Sequence, residues 1–161
     1  MEIKKARDIA EKYLNLLRPY CYRIKIAGSI RRNKSEVKDI EIVVIPSDLI
    51  NFTYEVVKLG KIKGEPIGKY TQRRLPEGIN LDLFIADKEN WGNIFLIRTG
   101  NWQFSKYIMG VKVKQVGLEQ RKGYLWKGSE RISCFEERDV FNLLGINYIE
   151  PKDRNKEVYN F

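Results

Sequence analysis

The sequence predicts an α+β chain in two parts, a helix-on-sheet first half followed by a small α+β second half. Three observations predict it. Period-two strand patterns alternate with helical stretches as far as residue 86, a Thr-Gly break separates two helices at residues 99–100, and a glycine-bounded hairpin pattern sits among the helices beyond.

Ile3, Ala6, Ala10, Tyr13, Leu14 and Leu17 recur at helical steps, so residues 2–18 read as an amphipathic helix ended by Arg18-Pro19. Tyr22, Ile24 and Ile26 alternate with Arg23 and Lys25, which makes a strand running into the turn Gly28-Ser29. Asp39 to Ile45 is a second strand, and Pro46-Ser47-Asp48 stops it and caps a helix that ends at Gly60. Lys61 to Glu65, Lys69 to Leu75 and Ile79 to Ala86 read as further strands, the last two joined by Pro76-Glu77-Gly78. Glu89 to Arg98 reads as a helix broken by Thr99-Gly100, and Asn101 caps another from Trp102 to about Gln115. A hairpin follows around Gly123 to Ile132, then a helix to Gly145 with Ser133 and Glu136 as its capping box. The segment Tyr148 to Arg154 is polar and is expected to fray. The break divides the chain into domains of residues 1–98 and 99–161.

Length and composition bound the function. At 161 residues with 43% apolar and 32% charged residues, the chain affords a packed core. Its longest apolar runs fall far short of the roughly 18 residues of a membrane span. No secretory segment opens it, and Cys21 and Cys134 have no metal or redox spacing, so an intracellular, reduced protein is expected. Histidine is absent, which removes Ser-His-Asp and Cys-His nucleophile activation and imidazole metal ligation. The net charge of +9 is the footprint of a polyanion binder, although a basic surface also serves solubility alone.

Asp39 and Glu41 lie two apart on a strand, so their side chains leave one face with Cα atoms about 6.6 Å apart. Alone, such a pair is as easily a solvated strand face. Gly28-Ser29 upstream, followed by Arg31-Arg32, adds close backbone approach, a hydroxyl donor and guanidinium forks for phosphate oxygens. Asp82 sits inside the apolar run Leu81 to Ile85, where a charged residue demands a partner. Three carboxylates and no histidine form an all-oxygen site suited to Mg²⁺ or Mn²⁺ and to two-metal phosphoryl displacement, and unsuited to zinc.

Gly28-Ser29 with Asp39-Ile40-Glu41 and a later strand Asp82 resembles the nucleotidyltransferase signature of the polymerase beta fold. Gly28-Ser29-Ile30-Arg31-Arg32, Arg98-Thr99-Gly100-Asn101-Trp102-Gln103-Phe104, Asp139-Val140-Phe141 and Glu150-Pro151-Lys152-Asp153-Arg154 are similar to family X DNA polymerases. The resemblance spans about Cys21 to Arg154. It implies a nucleotidyltransferase palm, a mixed sheet with helices on one face, and a nucleotide-selecting, thumb-type C-terminal domain. Carried over by position, Asp39 and Glu41 ligate two Mg²⁺ ions, with Mn²⁺ as substitute, and Asp82 ligates the ion that activates the primer 3′-OH. Gly28, Ser29 and Arg32 meet the triphosphate, Thr99 and Gly100 make a cis-like or tight turn under the sugar, Trp102 opens the helix over the nascent base pair, and Lys106 faces the template.

The resemblance thus implies a monomeric, template-directed DNA polymerase acting on dNTPs and primer–template or gapped DNA, in short-gap repair, located in the cytoplasm with its DNA. The lyase domain and helix-hairpin-helix clamps of longer members are not expected. Ile97-Arg98 stands where the family often has an aromatic pair, and Asn80 where it often has arginine. Two other readings share these features: a template-independent or non-DNA nucleotidyltransferase, and an idle nucleic-acid-binding module, which leaves three carboxylates unexplained.

Overall fold

In α1 (Ile3–Leu17), Ala6, Ile9, Ala10, Tyr13, Leu14 and Leu17 form one buried stripe, and Pro19 in the 3₁₀ turn that follows ends the helix. The computed structural model describes residues 1–155. These divide between Ala86 and Asp87 into two units.

In the first unit, β1 (Cys21–Ile26), α2 (Gly28–Arg31), β2 (Asp39–Pro46), α3 (Leu49–Val57), β3 (Gly60–Lys63), β4 (Tyr70–Arg74) and β5 (Asn80–Ile85) follow α1. The strand order is β1-β2-β5-β4-β3. β2 and β5 run parallel and every other pair antiparallel, so the sheet is mixed, as expected. Asp48 caps α3 by accepting from the Asn51 N–H at 3.1 Å. Ile40, Ile42 and Val44 of β2 and Leu81 and Leu83 of β5 join the buried residues of α1 and α3 in one core. The alternate positions of the same strands, Asp39, Glu41 and Asp82, face away from that core. Gly28-Ser29 does not make a plain turn but opens the single-turn helix α2.

The second unit holds α4 (Trp91–Thr99) and α5 (Trp102–Tyr107), which passes through a π-helical turn at Ile108–Lys112 into α6 (Val113–Gln115). A three-stranded antiparallel sheet follows, β6 (Glu119–Arg121), β7 (Tyr124–Lys127) and β8 (Glu130–Ile132), one strand more than the expected hairpin, and then α7 (Glu137–Leu143). α4 belongs here, on the other side of the Thr99-Gly100 break used in the sequence reading. Leu96 lies in this unit's core, and the Gly92 N–H bonds the Cys134 carbonyl at 2.9 Å. Residues 156–161, the end of the expected C-terminal domain, lie outside the described residues.

Two local expectations change. Glu136 is itself the N-cap of α7, with Asp139 completing the capping box, because the pairing begins three residues later than the Ser133 reading placed it. The segment to Arg154 does not fray. Arg154 is fully buried, ion-paired to Glu137, and donates Nε to the Ile149 carbonyl at 2.9 Å. Its guanidinium lies 5.4 Å from the Phe141 ring centre and 5.3 Å from that of Tyr148.

Truncating one member of this pair strands a buried charge, which costs about 3–5 kcal/mol. Glu137→Ala should therefore lower the melting temperature sharply, while Glu137→Leu combined with Arg154→Met should recover most of the loss. Equal losses in thermal denaturation for the single and double variants would refute this.

Candidate active site

Parallel pairing in register places Asp39 beside Asn80 and Glu41 beside Asp82. Glu41 and Asp82 are thus neighbours on one face, and Asp39 lies two residues along. β4 adds Gln72 opposite Asp82 and Tyr70 opposite Phe84. Gln72 Nε2 donates to Asp82 Oδ1 at 2.7 Å, and the Tyr70 hydroxyl donates to the same oxygen at 3.1 Å. The Tyr70 ring stacks on Phe84 with centroids 5.0 Å apart. The Lys63 ammonium lies 4.7 Å from the Tyr70 ring centre.

Asp82 is only 8% exposed. Burial holds its carboxyl above the usual carboxylate range; the bond from Gln72 opposes this, the charge of Asp39 adds to it, and the Tyr70 bond and Lys63 oppose it. Tyr70 and Gln72 were not singled out from sequence. Their signal was the alternation Tyr70-Thr71-Gln72, which points both toward the face that carries Asp82.

The turn after β1 is pressed against Glu41. Gly28 has φ +59°, and a Cβ there would lie 1.6 Å from Glu41 Oε2. No other residue fits both the backbone angle and the space. The adjoining Ala27 N–H bonds the Glu41 carbonyl at 2.8 Å. Next to it, Ser29 Oγ is buried with no hydrogen-bond partner among the described residues. An orphaned buried hydroxyl beside a carboxylate strand is a donor awaiting an acceptor. Arg32 follows directly at the end of α2 and is half-buried.

The donor set is oxygen only. Among the described residues no three acidic or thiol side chains converge into a ready metal cage. Asp39, Glu41 and Asp82 therefore share a strand face without closing into a ready three-carboxylate cage.

In the second unit, Thr99 is buried and Gly100 makes a tight turn, the described peptides all being trans. A Cβ on Gly100 would lie 2.3 Å from the Phe104 ring, and Ser105 Oγ donates to the Ile97 carbonyl at 2.7 Å. Asn101 caps α5 by accepting from the Phe104 N–H at 2.8 Å, as expected. Trp102 is 69% exposed at the start of α5, and Lys106, one turn on, holds its ammonium 6.0 Å from the indole. They border a hollow of about 510 Å³. An exposed ring beside a lysine is suited to stacking on bases.

The family model described as DNA polymerase beta thumb matches residues 95–155. The structure superposes on a polymerase beta of Leishmania infantum, solved as a ternary P/T complex, with a TM-score of 0.74 at 17% identity, covering 97% of this chain and 77% of that one. Residues 95–155 are thus similar to a polymerase beta thumb, and the whole chain has a polymerase beta-like fold. It is also 28% identical over 98 residues to DNA polymerase IV of Saccharomyces cerevisiae. That match takes in 59% of this chain but only 17% of the relative's length. The thumb match takes in Thr99, Gly100, Trp102 and Lys106. Among its described residues no helix is long and apolar enough to cross a membrane.

A buried carboxyl with a raised pKa favours its protonated form in the fold. Its contribution to stability is therefore full at acid pH and is lost as pH rises through the folded-state value. Asp82→Asn escapes that loss while its amide oxygen keeps accepting from Gln72 and Tyr70. Without divalent ions, the variant should melt higher than the native chain, by a margin that grows from pH 4 to pH 7. A margin independent of pH in paired melting curves would refute the assignment.

Proposed function

We propose that this chain is a template-directed DNA polymerase of family X that adds deoxynucleotides to a primer 3′-OH with release of pyrophosphate, and that it serves short-gap filling in repair. The observation that carries the reading is the face of β2 and β5 turned away from the α1 and α3 core, where Asp39, Glu41 and Asp82 share one side of a polymerase beta-like sheet with Gly28 packed on Glu41.

Asp39 and Glu41 would hold two Mg²⁺ ions, and Asp82 would join them at the ion nearer the primer. When bound, such ions lower the pKa of the attacking hydroxyl and neutralise charge on the transferring and leaving oxygens. The chain's own residues do the rest. Gln72 and Tyr70 occupy one oxygen of Asp82 and so leave the other to face the reacting group. Ser29 Oγ donates to a triphosphate oxygen, which satisfies its unused hydrogen, and Arg32 adds a charge-assisted fork. Gly100 admits the sugar closely, Trp102 packs against the base pair, and Lys106 lies toward the template. The partners are a dNTP and primer–template or gapped DNA, met as a monomer in the cytoplasm.

Primer extension with Mg²⁺ tests the reading, and dependence of the added base on the template strand separates it from template-independent transfer. Asp39→Ala, Glu41→Ala and Asp82→Ala should each lose at least about a thousandfold in turnover while DNA binding persists. Full turnover in any one of them would overturn the site.

Sugar choice should be loose. Ile97 and Arg98 present an aliphatic chain and a flexible guanidinium where an aromatic wall would exclude a 2′-hydroxyl more rigidly. Discrimination against ribonucleotides, measured as the ratio of kcat/KM values, should be only about 10- to 100-fold, the range of a steric pocket. A ratio above about ten-thousandfold would show a specific polar gate instead.

A further inference from the structure

We infer that a cleft along the open edge of the first unit's sheet binds the phosphate backbone of double-stranded DNA. The inference rests on the polymerase reading only for the identity of the polyanion. β1 is an edge strand, and beside it α1, β1 and α2 enclose a hollow of about 310 Å³. Its floor is apolar and buried, formed by Leu14, Ile24 and Ile30. Four cations line it, Arg7 from α1, Arg18 from the 3₁₀ turn that follows, Lys25 from β1 and Arg31 from α2, against one acid, Glu11.

Some cations of this unit meet acids, as Lys12 does Glu77 at 2.6 Å, Lys58 Glu55 at 2.9 Å and Lys61 Glu65 at 2.9 Å, and others do not. The cleft gathers several basic side chains on one hollow. Arg18 and Lys25 are exposed and form no ion pair among the described residues, and Arg7 donates only to the neutral amide oxygen of Asn33, at 3.3 Å. Like charges gathered on one hollow repel one another, and a bound polyanion relieves that repulsion.

The shape fits an extended polyanion. Arg7, Glu11 and Leu14 of α1 and Arg18 at its C-cap recur along one face, and the outer two stand about 16 Å apart, the rise of roughly five nucleotides on one duplex strand. A single phosphate or free nucleotide does not reach both. No aromatic side chain lines the cleft, so it offers no platform for unstacked bases. Arg and Lys side chains that meet phosphates fix register without reading sequence.

The test is binding of the full chain to a blunt DNA duplex across a salt series, without nucleotide or divalent ions. Arg18→Ala with Lys25→Ala should weaken binding roughly tenfold and reduce the slope of log K against log salt by about 2, one for each phosphate that is no longer neutralised. Glu11→Gln should tighten it. Lys12→Ala, on another face of the same helix and already held by Glu77, should change the slope by less than either cleft substitution alone. All of these side chains are exposed, and melting curves confirm that the variants fold. The inference is overturned if the double variant keeps the native slope. It is also overturned if the cleft and Lys12 substitutions act alike, or if the cleft substitutions abolish binding to phosphatidylserine vesicles and leave duplex binding intact. Primer extension by the native chain is read separately: its absence would sink the catalytic reading, and a cleft-specific loss of duplex binding would still stand.

Discussion

The parallel, in-register pairing of β2 with β5 is the constraint on which the first unit depends. It sets Ile40 beside Leu81 and Ile42 beside Leu83 on the face covered by α1 and α3, and by the same register it sets Glu41 beside Asp82 on the other. Strand side chains alternate with period two, so a slip of one residue would send the carboxylates into the core and the core into water. Core and candidate site are two readouts of one register. The pairing is also non-local, because the chain must pass through α3, β3 and β4 before β5 can dock between β2 and β4.

That register alone would leave Glu41 free to choose among rotamers. Gly28 removes the freedom, because the turn after β1 lies so close to the Glu41 carboxylate that even a methyl group would overlap it. The same close approach brings in Ser29 Oγ of α2, buried and without a hydrogen-bond partner among the described residues, from just beyond the neighbouring antiparallel strand. A glycine at one position therefore lets a buried hydroxyl donor lie beside an acidic strand.

Most of the fold was legible because its signals are local. The period-two runs at Cys21 to Ile26 and Asp39 to Pro46, the helical stripe of α1, and the caps at Asp48 and Asn101 each announce themselves within a few residues. What was not legible depended on distant partners. Arg154 reads as a polar residue near the chain's end, yet Glu137, Phe141 and Tyr148 bury it. α4 reads as part of the first half until Leu96 finds its core in the second. At the candidate site, the three carboxylates and Gly28-Ser29 came from pattern, whereas the hold of Gln72 and Tyr70 on Asp82 appears only once β4 is laid beside β5.

Two of the buried charges among the described residues, Arg154 and Asp82, are treated in opposite ways. Arg154 in the second unit is paired with an acid, bonded to a carbonyl and surrounded by rings, which is how a charge is buried for stability. Asp82 in the first unit is buried nearly as deeply, but its partners are a neutral amide and a phenol, and it forms no ion pair among the described residues. Neutral donors return only part of the solvation a carboxylate loses, so the fold keeps this anion at a cost it could have avoided by placing an arginine where Gln72 stands. A cation already paired to Asp82 would compete with any ion or hydroxyl that arrives with substrate. The missing countercharge leaves the carboxylate available to a cation, as the proposed function requires.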